Sequence, residues 1–256
     1  MEISVKYSKR LPLERMSNCR DLGGYPTKFG NVTRFGVFVR SEAPVFLPER
    51  DIEYLKQYGV TKSLDFRGDR NTQKFPSSLD TEGIEYIHLP MFGRADAMGF
   101  EESVDDIIRR FSGWGRTYIG WLETYKGWVR DVVRELVSTD GVCHFNCNAG
   151  KDRTGVISAL VLAVCGVDLN DIAFDYCISR TMLKPRFSQL AEQWDSYLKD
   201  ENGKLIPDHP FLFTPRDAMF QLFAYICSQY KTVENYFYSC RLSVDEVKEI
   251  RKKLLG

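Results

Sequence analysis

The sequence predicts an α/β fold: a mostly parallel sheet of about four strands flanked by helices, with a helical C-terminal half. Short β-branched or apolar runs alternate with helical periodicity through the first part of the chain, as in parallel strands joined by helical crossovers. From about Asp168 onward every periodic segment is helical. Because no repeat, low-complexity tract or linker interrupts the chain, we expect a single domain over residues 1–256, with its helical portion (about 168–256) packed on the core.

Four short runs have the composition of strands, and the last of them leads directly into Cys147. A turn signal at Gly30-Asn31 lies between two further extended segments and predicts a hairpin near the N-terminus. The predicted strands cover residues 37–39, 61–66, 84–89 and 141–145.

Helical patterns lie between and after these strands. The first begins at Pro48, and residues 156–165 are apolar on nearly every side, which predicts a buried helix. Ser243 followed by Glu246 predicts a capping box. The other predicted helices cover about residues 116–137, 170–182, 187–198, 215–230 and 243–255.

The composition is that of an ordinary globular protein. Of the 256 residues 43% are hydrophobic, and 35 basic side chains balance 35 acidic ones. A net charge of zero gives no bulk attraction to nucleic acid or to an anionic membrane, so we expect no nucleic-acid partner. The N-terminus has no apolar run of signal-peptide length, and no uncharged stretch could cross a bilayer. We expect a cytoplasmic location without stable membrane insertion; secretion by another route stays open.

The seven cysteines are scattered without the spacing of zinc ligands. Cys143 and Cys147 are four residues apart, but no second pair or histidine cluster completes a metal site. We therefore expect no metal and no cofactor, and we expect most of the cysteines to be buried, reduced thiols.

Residues 147–153, here called the cysteine loop, have the features of a phosphate-binding loop. A phosphate monoester is a dianion, and its site needs inward-pointing backbone amides, a helix N-terminus and a planar guanidinium. A predicted strand precedes the loop, small residues let its backbone curl, and Arg153 opens the buried helix. The expected phosphate-binding residues are Asn148, Ala149, Gly150, Lys151, Asp152 and Arg153.

This arrangement predicts chemistry at the Cys147 sulfur. Amides and Arg153 around the sulfur favour the thiolate, which is the nucleophilic form. Attack on phosphorus would form a phosphocysteine that water then hydrolyses, and Thr154 would donate its hydroxyl to the departing sulfur.

The run from Ala149 to Gly155 resembles the signature loop of the bacterial atypical protein tyrosine phosphatases, a group with dual-specificity and phosphoinositide phosphatase activity. The resemblance implies the phosphatase α/β fold and a phosphorylated protein or phosphoinositide as substrate, with the pair Lys151-Asp152 linked to phosphoinositide acceptance. We expect Lys151 to add a cation at the mouth of the site, and the alternative is a solvated side chain. Further matching segments, in the family's order, are residues 18–25, 39–41, 64–67, 175–179 and 233–236.

The chain departs from the family pattern at three positions. Asn146 stands where a histidine usually precedes the nucleophile, which leaves the degree of thiolate activation open. His144 lies two residues earlier, on the same side of the strand as Asn146. Gln73 replaces a glutamate, and Cys19 replaces an aromatic residue.

A general acid must protonate the leaving oxygen, and three aspartates are candidates. Asp65 comes first because it ends a predicted strand and matches the family; its alternative role is an ion pair with Arg67 or Arg20. Asp152 is the second candidate and Asp96 the third.

For several other side chains, a structural role is the alternative to a functional role. We expect Arg20 and Asp21 to form structural ion pairs, and Arg40 to do the same or to hold substrate. Trp121 and Trp128, seven apart, are expected on one helical face in the core rather than at a membrane.

The predicted function is a cysteine-dependent phosphatase acting on phosphotyrosine, with phosphoserine, phosphothreonine and phosphoinositides as further candidates. Two alternatives stay open: an inositol polyphosphate phosphatase, and a phosphate-binding module with weakened catalysis, which Asn146 suggests. An arsenate reductase is disfavoured because it would need a resolving cysteine pair and a shorter chain.

Overall fold

A computed structural model describes residues 9–92, 113–187, 199–206 and 208–256. Its sheet has five strands in the order β1-β2-β5-β3-β4, parallel except for the antiparallel β1 at one edge. The predicted mostly parallel sheet is confirmed; β1, with two residues, is too short to produce a periodic signal. The strands are β1 (Arg20–Asp21), β2 (Phe38–Ser41), β3 (Val60–Asp65), β4 (Glu85–His88) and β5 (Val142–Asn146).

Helices cover both faces of the sheet and make up most of the chain after β5. Two short 3₁₀ turns lie at Lys184–Arg186 and Pro210–Leu212. The helices are α1 (Glu49–Tyr58), α2 (Asp69–Lys74), α3 (Gly113–Thr124), α4 (Lys126–Ser138), α5 (Asp152–Val164), α6 (Leu169–Leu183), α7 (Arg216–Tyr230), α8 (Val233–Ser239) and α9 (Val244–Leu255).

The main hydrophobic core lies between the sheet and the later helices. Side chains of β5, such as Phe145, pack there with the nearly all-buried α5, and the cluster continues to Leu254 on α9. A smaller core on the opposite face holds Leu55 of α1 against Val39 and Val142. Because both faces are covered, the residues of β2 and β5 are buried on both sides, polar ones included.

The predicted helix over 116–137 is in fact two helices. Tyr125, with φ −119° and ψ 38°, leaves the helical region between α3 and α4, and Gly127 follows it. The change of direction turns Trp128 into the core, where its indole N–H donates to the Leu89 carbonyl (2.9 Å) and its ring meets Phe66. Trp128 is buried and Trp121 is half-buried, as expected of core residues, but they lie on different helices.

Several local predictions can be compared directly with the structure. Gly30, with φ +83°, makes the predicted turn, which is closed by an antiparallel bridge between Pro26 and Val32. The capping box of Ser243 and Glu246 is present at α9. The predicted helix over 187–198 lies almost wholly outside the described residues. None of the described helices has the length and apolarity that crossing a bilayer requires.

The strand register aligns the functional end of the sheet. Ser41, Asn146, Asp65 and His88 lie side by side at the carboxyl ends of the four parallel strands. In open parallel sheets this edge is where ligands bind. The residues that follow the row, including Cys147, are therefore brought together there.

His144 is held in the sheet just before this edge. Its Nε2 lies 2.7 Å from Ser41 Oγ, and its Nδ1 lies 2.9 Å from Ser63 Oγ. Because the Ser41 hydroxyl donates to the Glu42 carbonyl (2.5 Å), Nε2 carries the proton and Nδ1 accepts from Ser63. Burial lowers the pKa of His144 to about 4, although Asp65 opposes the shift, so the ring is neutral at pH 7.

We expect the free energy of unfolding to fall as the pH is lowered from 6.5, the ordinary pKa of histidine, to about 4. Over that interval the unfolded chain binds a proton at His144 that the folded chain does not, which removes about 3 kcal/mol of stability. Urea unfolding at a series of pH values measures the effect. His144→Gln should abolish this part of the pH dependence and His209→Gln should keep it; an unchanged dependence in His144→Gln would contradict the assignment.

Candidate active site

The cysteine loop joins the carboxyl end of β5 to the N-terminus of α5. Cys147 is buried, with 2% of its surface exposed, whereas Asn148 and Ala149 are half-buried. Gly150 has φ +61°, and a Cβ there would lie 2.1 Å from the Ser41 carbonyl oxygen. Only glycine fits this turn, because any other residue would collide with the end of β2.

Three consecutive carbonyls of the loop are bound from outside it. Ala43 donates its N–H to the Asn148 carbonyl (3.1 Å), Asn18 Nδ2 donates to the Ala149 carbonyl (3.0 Å), and Arg40 Nη2 donates to the Gly150 carbonyl (2.6 Å). In a planar trans peptide the N–H points opposite to the C=O. The amides of residues 149–151 therefore face away from these donors, toward the interior of the loop, as a phosphate cradle requires.

The donors themselves are fixed by a buried cluster of charges. Asp175 on α6 accepts from Arg40 Nη1 (2.5 Å) and Arg20 Nε (2.8 Å), and all three side chains are at most 2% exposed. Arg20 also donates to the side-chain oxygen of Asn18 (2.6 Å), which orients the Asn18 amide toward the loop. Burial alone would raise the pKa of Asp175, but Arg20 and Arg40 hold it below its ordinary value.

Arg40 thereby has a structural role in the loop, through the Gly150 carbonyl and Asp175. Burial and the neighbouring Arg20 lower the pKa of Arg40 to about 10, against the opposing effect of Asp175, so it stays charged at neutral pH. The expectation of a structural ion pair is confirmed for Arg20 and wrong for Asp21. Asp21 accepts from the amides of Gly23 and Gly36 and from the Tyr58 hydroxyl.

Arg153 lies in the first turn of α5 with part of its surface exposed. Its Nη1 donates to the Phe66 carbonyl (2.7 Å), and its guanidinium carbon lies 5.2 Å from the centre of the Phe92 ring. Among the described residues these contacts occupy one of its N–H groups, and the others can bind an anion. The next residue, Thr154, is completely buried, and its hydroxyl has no partner among the described residues.

Asp65 is buried against Arg67. Arg67 approaches it through Nε and Nη2, the latter at 2.6 Å, and Tyr86 (3.2 Å) and Asn146 Nδ2 (3.1 Å) donate to it as well. None of its surface is exposed. The geometry is that of the ion pair that sequence reasoning gave as the alternative role.

Asp152 is the partly exposed carboxylate of the loop, with 21% of its side chain accessible. The hydroxyl of Tyr118 on α3 donates to its Oδ1, and Lys151 Nζ lies 3.0 Å from the same oxygen. Tyr118 is fully buried, contacts the Tyr176 hydroxyl (2.7 Å), and has a pKa raised by burial and by Asp152. The side chain of Asp152 is thus fixed through one oxygen.

Lys151 is neither solvated nor presented at the mouth of the site. It is 3% exposed, donates to the Phe213 carbonyl (3.0 Å), pairs with Asp152 and lies 4.4 Å from the centre of the Trp114 ring. The alternative of a solvated side chain is therefore wrong. Asp96, the remaining candidate for the general acid, lies outside the described residues. Cys143 and Cys147, which are four residues apart, are both free thiols.

The model of a family described as the tyrosine phosphatase family matches residues 11–256. The chain belongs to the tyrosine phosphatase family. It is 26% identical over 222 residues to a tyrosine-protein phosphatase of Nostoc commune, an alignment that covers 85% of this chain and 74% of the relative. A protein of Cupriavidus necator, provisionally named a tyrosine-protein phosphatase, is 27% identical over 198 residues, which are 73% and 69% of the respective chains.

Among solved structures, the phosphotyrosine complex of TpbA from P. aeruginosa aligns with 81% of this chain and 87% of its own. The sequence identity of that alignment is 15% and its TM-score is 0.39.

The sequence predicts the cysteine loop of this tyrosine phosphatase but does not predict the residues that hold the loop in place. Asn18, Arg40 and Asp175 each lie in a segment that resembles the family, yet the sequence does not reveal that they meet. The sequence did not indicate a role for Tyr118 or Phe92 at the site, because single aromatic residues at helix or loop positions are most often core residues.

We expect Gly150→Ala to reduce kcat/KM for p-nitrophenyl phosphate by about 100-fold, because the loop must shift away from Ser41 to admit a Cβ. Steady-state hydrolysis measures it. Gly30→Ala is the matched control, since Gly30 also has positive φ (+83°) but nothing lies within 4 Å of its Cβ position. This control should lose about 1 kcal/mol of stability and keep its activity. Equal loss of activity in both variants would contradict the proposed close approach.

Proposed function

We propose that this chain hydrolyses phosphate monoesters, phosphotyrosine first among them, through a phosphocysteine intermediate on Cys147. The observation that carries the proposal is the outward anchoring of three successive loop carbonyls, which turns the amides of residues 149–151 away from those donors. Arg153 and the N-terminus of α5 add positive charge at the same place. Such a cradle fits the equatorial oxygens of a transferring phosphoryl group.

The proposed reaction has two steps. The Cys147 thiolate attacks phosphorus, the bond to the leaving oxygen breaks, and that oxygen takes a proton from a general acid. Water then attacks phosphorus and returns a proton to the conjugate base of that acid, the sulfur–phosphorus bond breaks, and inorganic phosphate and the Cys147 thiolate are released. The buried Thr154 hydroxyl, which no described residue binds, supports a role in donating to the sulfur as it leaves.

We assign the general acid to Asp152 and not to Asp65. A general acid must reach the leaving oxygen, and Asp65 is fully buried with Arg67, Tyr86 and Asn146 donating to it. Asp152 belongs to the cysteine loop and is partly exposed, and Tyr118 and Lys151 bind one of its oxygens, whereas no other described residue binds the second. The other oxygen can carry the proton.

The contacts of Lys151 bear on the choice of substrate. An inositol polyphosphate or a phosphoinositide with several phosphates would need cations beside the loop, but Lys151 is buried and engaged by Asp152 and the Phe213 carbonyl. Phosphotyrosine, phosphoserine and phosphothreonine need one phosphate site only. This favours a phosphorylated protein over phosphoinositides as the substrate.

Cys147→Ser should abolish hydrolysis of p-nitrophenyl phosphate, because a serine hydroxyl in the loop is not ionised and is a poor nucleophile. The assay contains EDTA, since the mechanism uses no metal. Cys227→Ser, which changes an exposed cysteine, is the control and should keep full activity. Activity that survives in Cys147→Ser would overturn the mechanism, and an inactive native chain that still binds phosphate would identify a binding module.

Asp152→Asn should lower kcat for phenyl phosphate by about 100-fold or more and affect p-nitrophenyl phosphate far less, because a good leaving group needs little protonation. Asp65→Asn should instead lower the free energy of unfolding by about 3 kcal/mol, since it leaves Arg67 buried without its counter-ion. Leaving-group kinetics and urea unfolding of both variants separate the two roles. A leaving-group effect in Asp65→Asn alone would return the acid role to Asp65.

A further inference from the structure

Asp152 lies at one end of a series of buried hydroxyl groups. The Tyr118 hydroxyl donates to its Oδ1 and lies 2.7 Å from the Tyr176 hydroxyl. Because Tyr118 has a single proton and gives it to Asp152, Tyr176 is the donor to Tyr118. The hydrogen bonds of Tyr118 and Tyr176, here called the tyrosine pair, therefore run in one direction, from α6 through α3 to the cysteine loop.

Both hydroxyls of the tyrosine pair keep their protons and are fixed in position. Tyr118 is fully buried and Tyr176 is 1% exposed, and burial, followed by the charge of Asp152, raises the pKa of each above the ordinary value of tyrosine. The Tyr118 ring packs against the rings of Trp121 and Tyr176, with centroid distances of 5.2 Å and 5.9 Å. Aromatic rings attract at these distances, so the Tyr118 hydroxyl is already placed to meet Asp152.

The tyrosine pair acts on one oxygen of Asp152 and leaves the other to the reaction. Lys151 Nζ lies 3.0 Å from the same Oδ1, so a proton on that oxygen would face two donors. The proton of the neutral carboxyl group is therefore placed on Oδ2, to which no described residue donates. When Oδ2 gives up its proton, the hydrogen bonds at Oδ1 stabilise the negative charge that forms.

We propose that Tyr118 is a positioning residue for the general acid. It directs the proton of Asp152 to Oδ2, and it stabilises the carboxylate once that proton has passed to the leaving oxygen, as the phosphorus–oxygen bond breaks. The inference rests on the proposed function, because it takes Asp152 as the acid. Its contribution is largest for the most basic leaving oxygens, which depend most on protonation.

The tyrosine pair also connects the acid to the cluster that shapes the loop. Tyr176 follows Asp175 directly on α6. Asp175 fixes the arginines that hold the loop from outside, and Tyr176 donates to the residue that holds its acid. One turn of α6 thus fixes both the carbonyls of the cysteine loop and the side chain of Asp152.

Tyr118→Phe tests the proposal, because it removes the hydroxyl and keeps the ring. The quantity to measure is kcat/KM for p-nitrophenyl phosphate divided by kcat/KM for phenyl phosphate, a ratio that does not depend on the folded fraction of the protein. Loss of a hydrogen bond to a charged group should raise this ratio about tenfold in Tyr118→Phe. Tyr176→Phe, which removes only the donor to Tyr118, should raise the ratio by less.

Tyr236→Phe is the matched control. Tyr236 is likewise fully buried, and its hydroxyl also donates to α3, at the Leu122 carbonyl (3.0 Å). This variant should keep the native ratio. An unchanged ratio in Tyr118→Phe, or an equal rise in Tyr236→Phe, would overturn the positioning role of Tyr118.

Asp152→Asn separates this inference from the function on which it rests. Asp152→Asn should itself raise the ratio, and Tyr118→Phe added to it should change the ratio no further, because the proton that Tyr118 directs is already gone. A further rise in the double variant would overturn the inference and leave the acid assignment standing. An unchanged ratio in Asp152→Asn would overturn the acid assignment, and a native protein that hydrolyses neither ester would overturn the proposed function; either result removes the inference as well.

Discussion

Asp175 holds two buried arginines in a single ion-paired cluster, and the shape of the cysteine loop depends on it. Arg40 donates to the loop directly, and Arg20 orients the Asn18 amide that donates to it. Burying any one of these charges alone would cost several kcal/mol of free energy. Their mutual attraction and hydrogen bonds in the cluster offset part of that cost. The cluster also joins α6 to β1 and β2, so the helical half of the chain takes part in fixing a loop that belongs to the sheet.

The other buried charges near the loop are each neutralised or bonded locally. Asp65 is paired with Arg67, and Glu42 accepts from the amides of Ser17 and Asn18, although burial still raises its pKa. Arg153 differs from these residues because it is only partly buried and is bound on one nitrogen by a neutral carbonyl. Its positive charge thus remains available to a phosphate dianion, while the surrounding charges maintain the position of the backbone.

The sequence predicted those parts of the fold and site that depend on short stretches of chain. The strand, cysteine loop and buried helix around Cys147 are continuous in sequence, so composition and spacing were sufficient to find them. The meeting of Arg40 with Asp175, 135 residues apart, depends on tertiary packing and leaves no periodic signal. The same limit explains why the sequence did not settle the role of Asp65. Its position at the end of a strand was predicted correctly, but its burial against Arg67 depends on how β3 lies beside β4 and β5. The bend at Tyr125 was missed because both helices keep apolar residues at helical spacing across it.

Asn146 can be understood from the same packing. Its Nδ2 donates to Asp65 on the neighbouring strand, so it ties the residue before the nucleophile to the Asp65–Arg67 pair. His144, two residues earlier, is held between Ser41 and Ser63 and is neutral, so it contributes no positive charge to Cys147. The charge near the sulfur comes instead from Arg40, whose lowered pKa Cys147 opposes, while Arg153 and the N-terminus of α5 follow Cys147 in sequence. An asparagine before the cysteine is compatible with this arrangement because the position has to supply a hydrogen-bond donor to Asp65 and no charge.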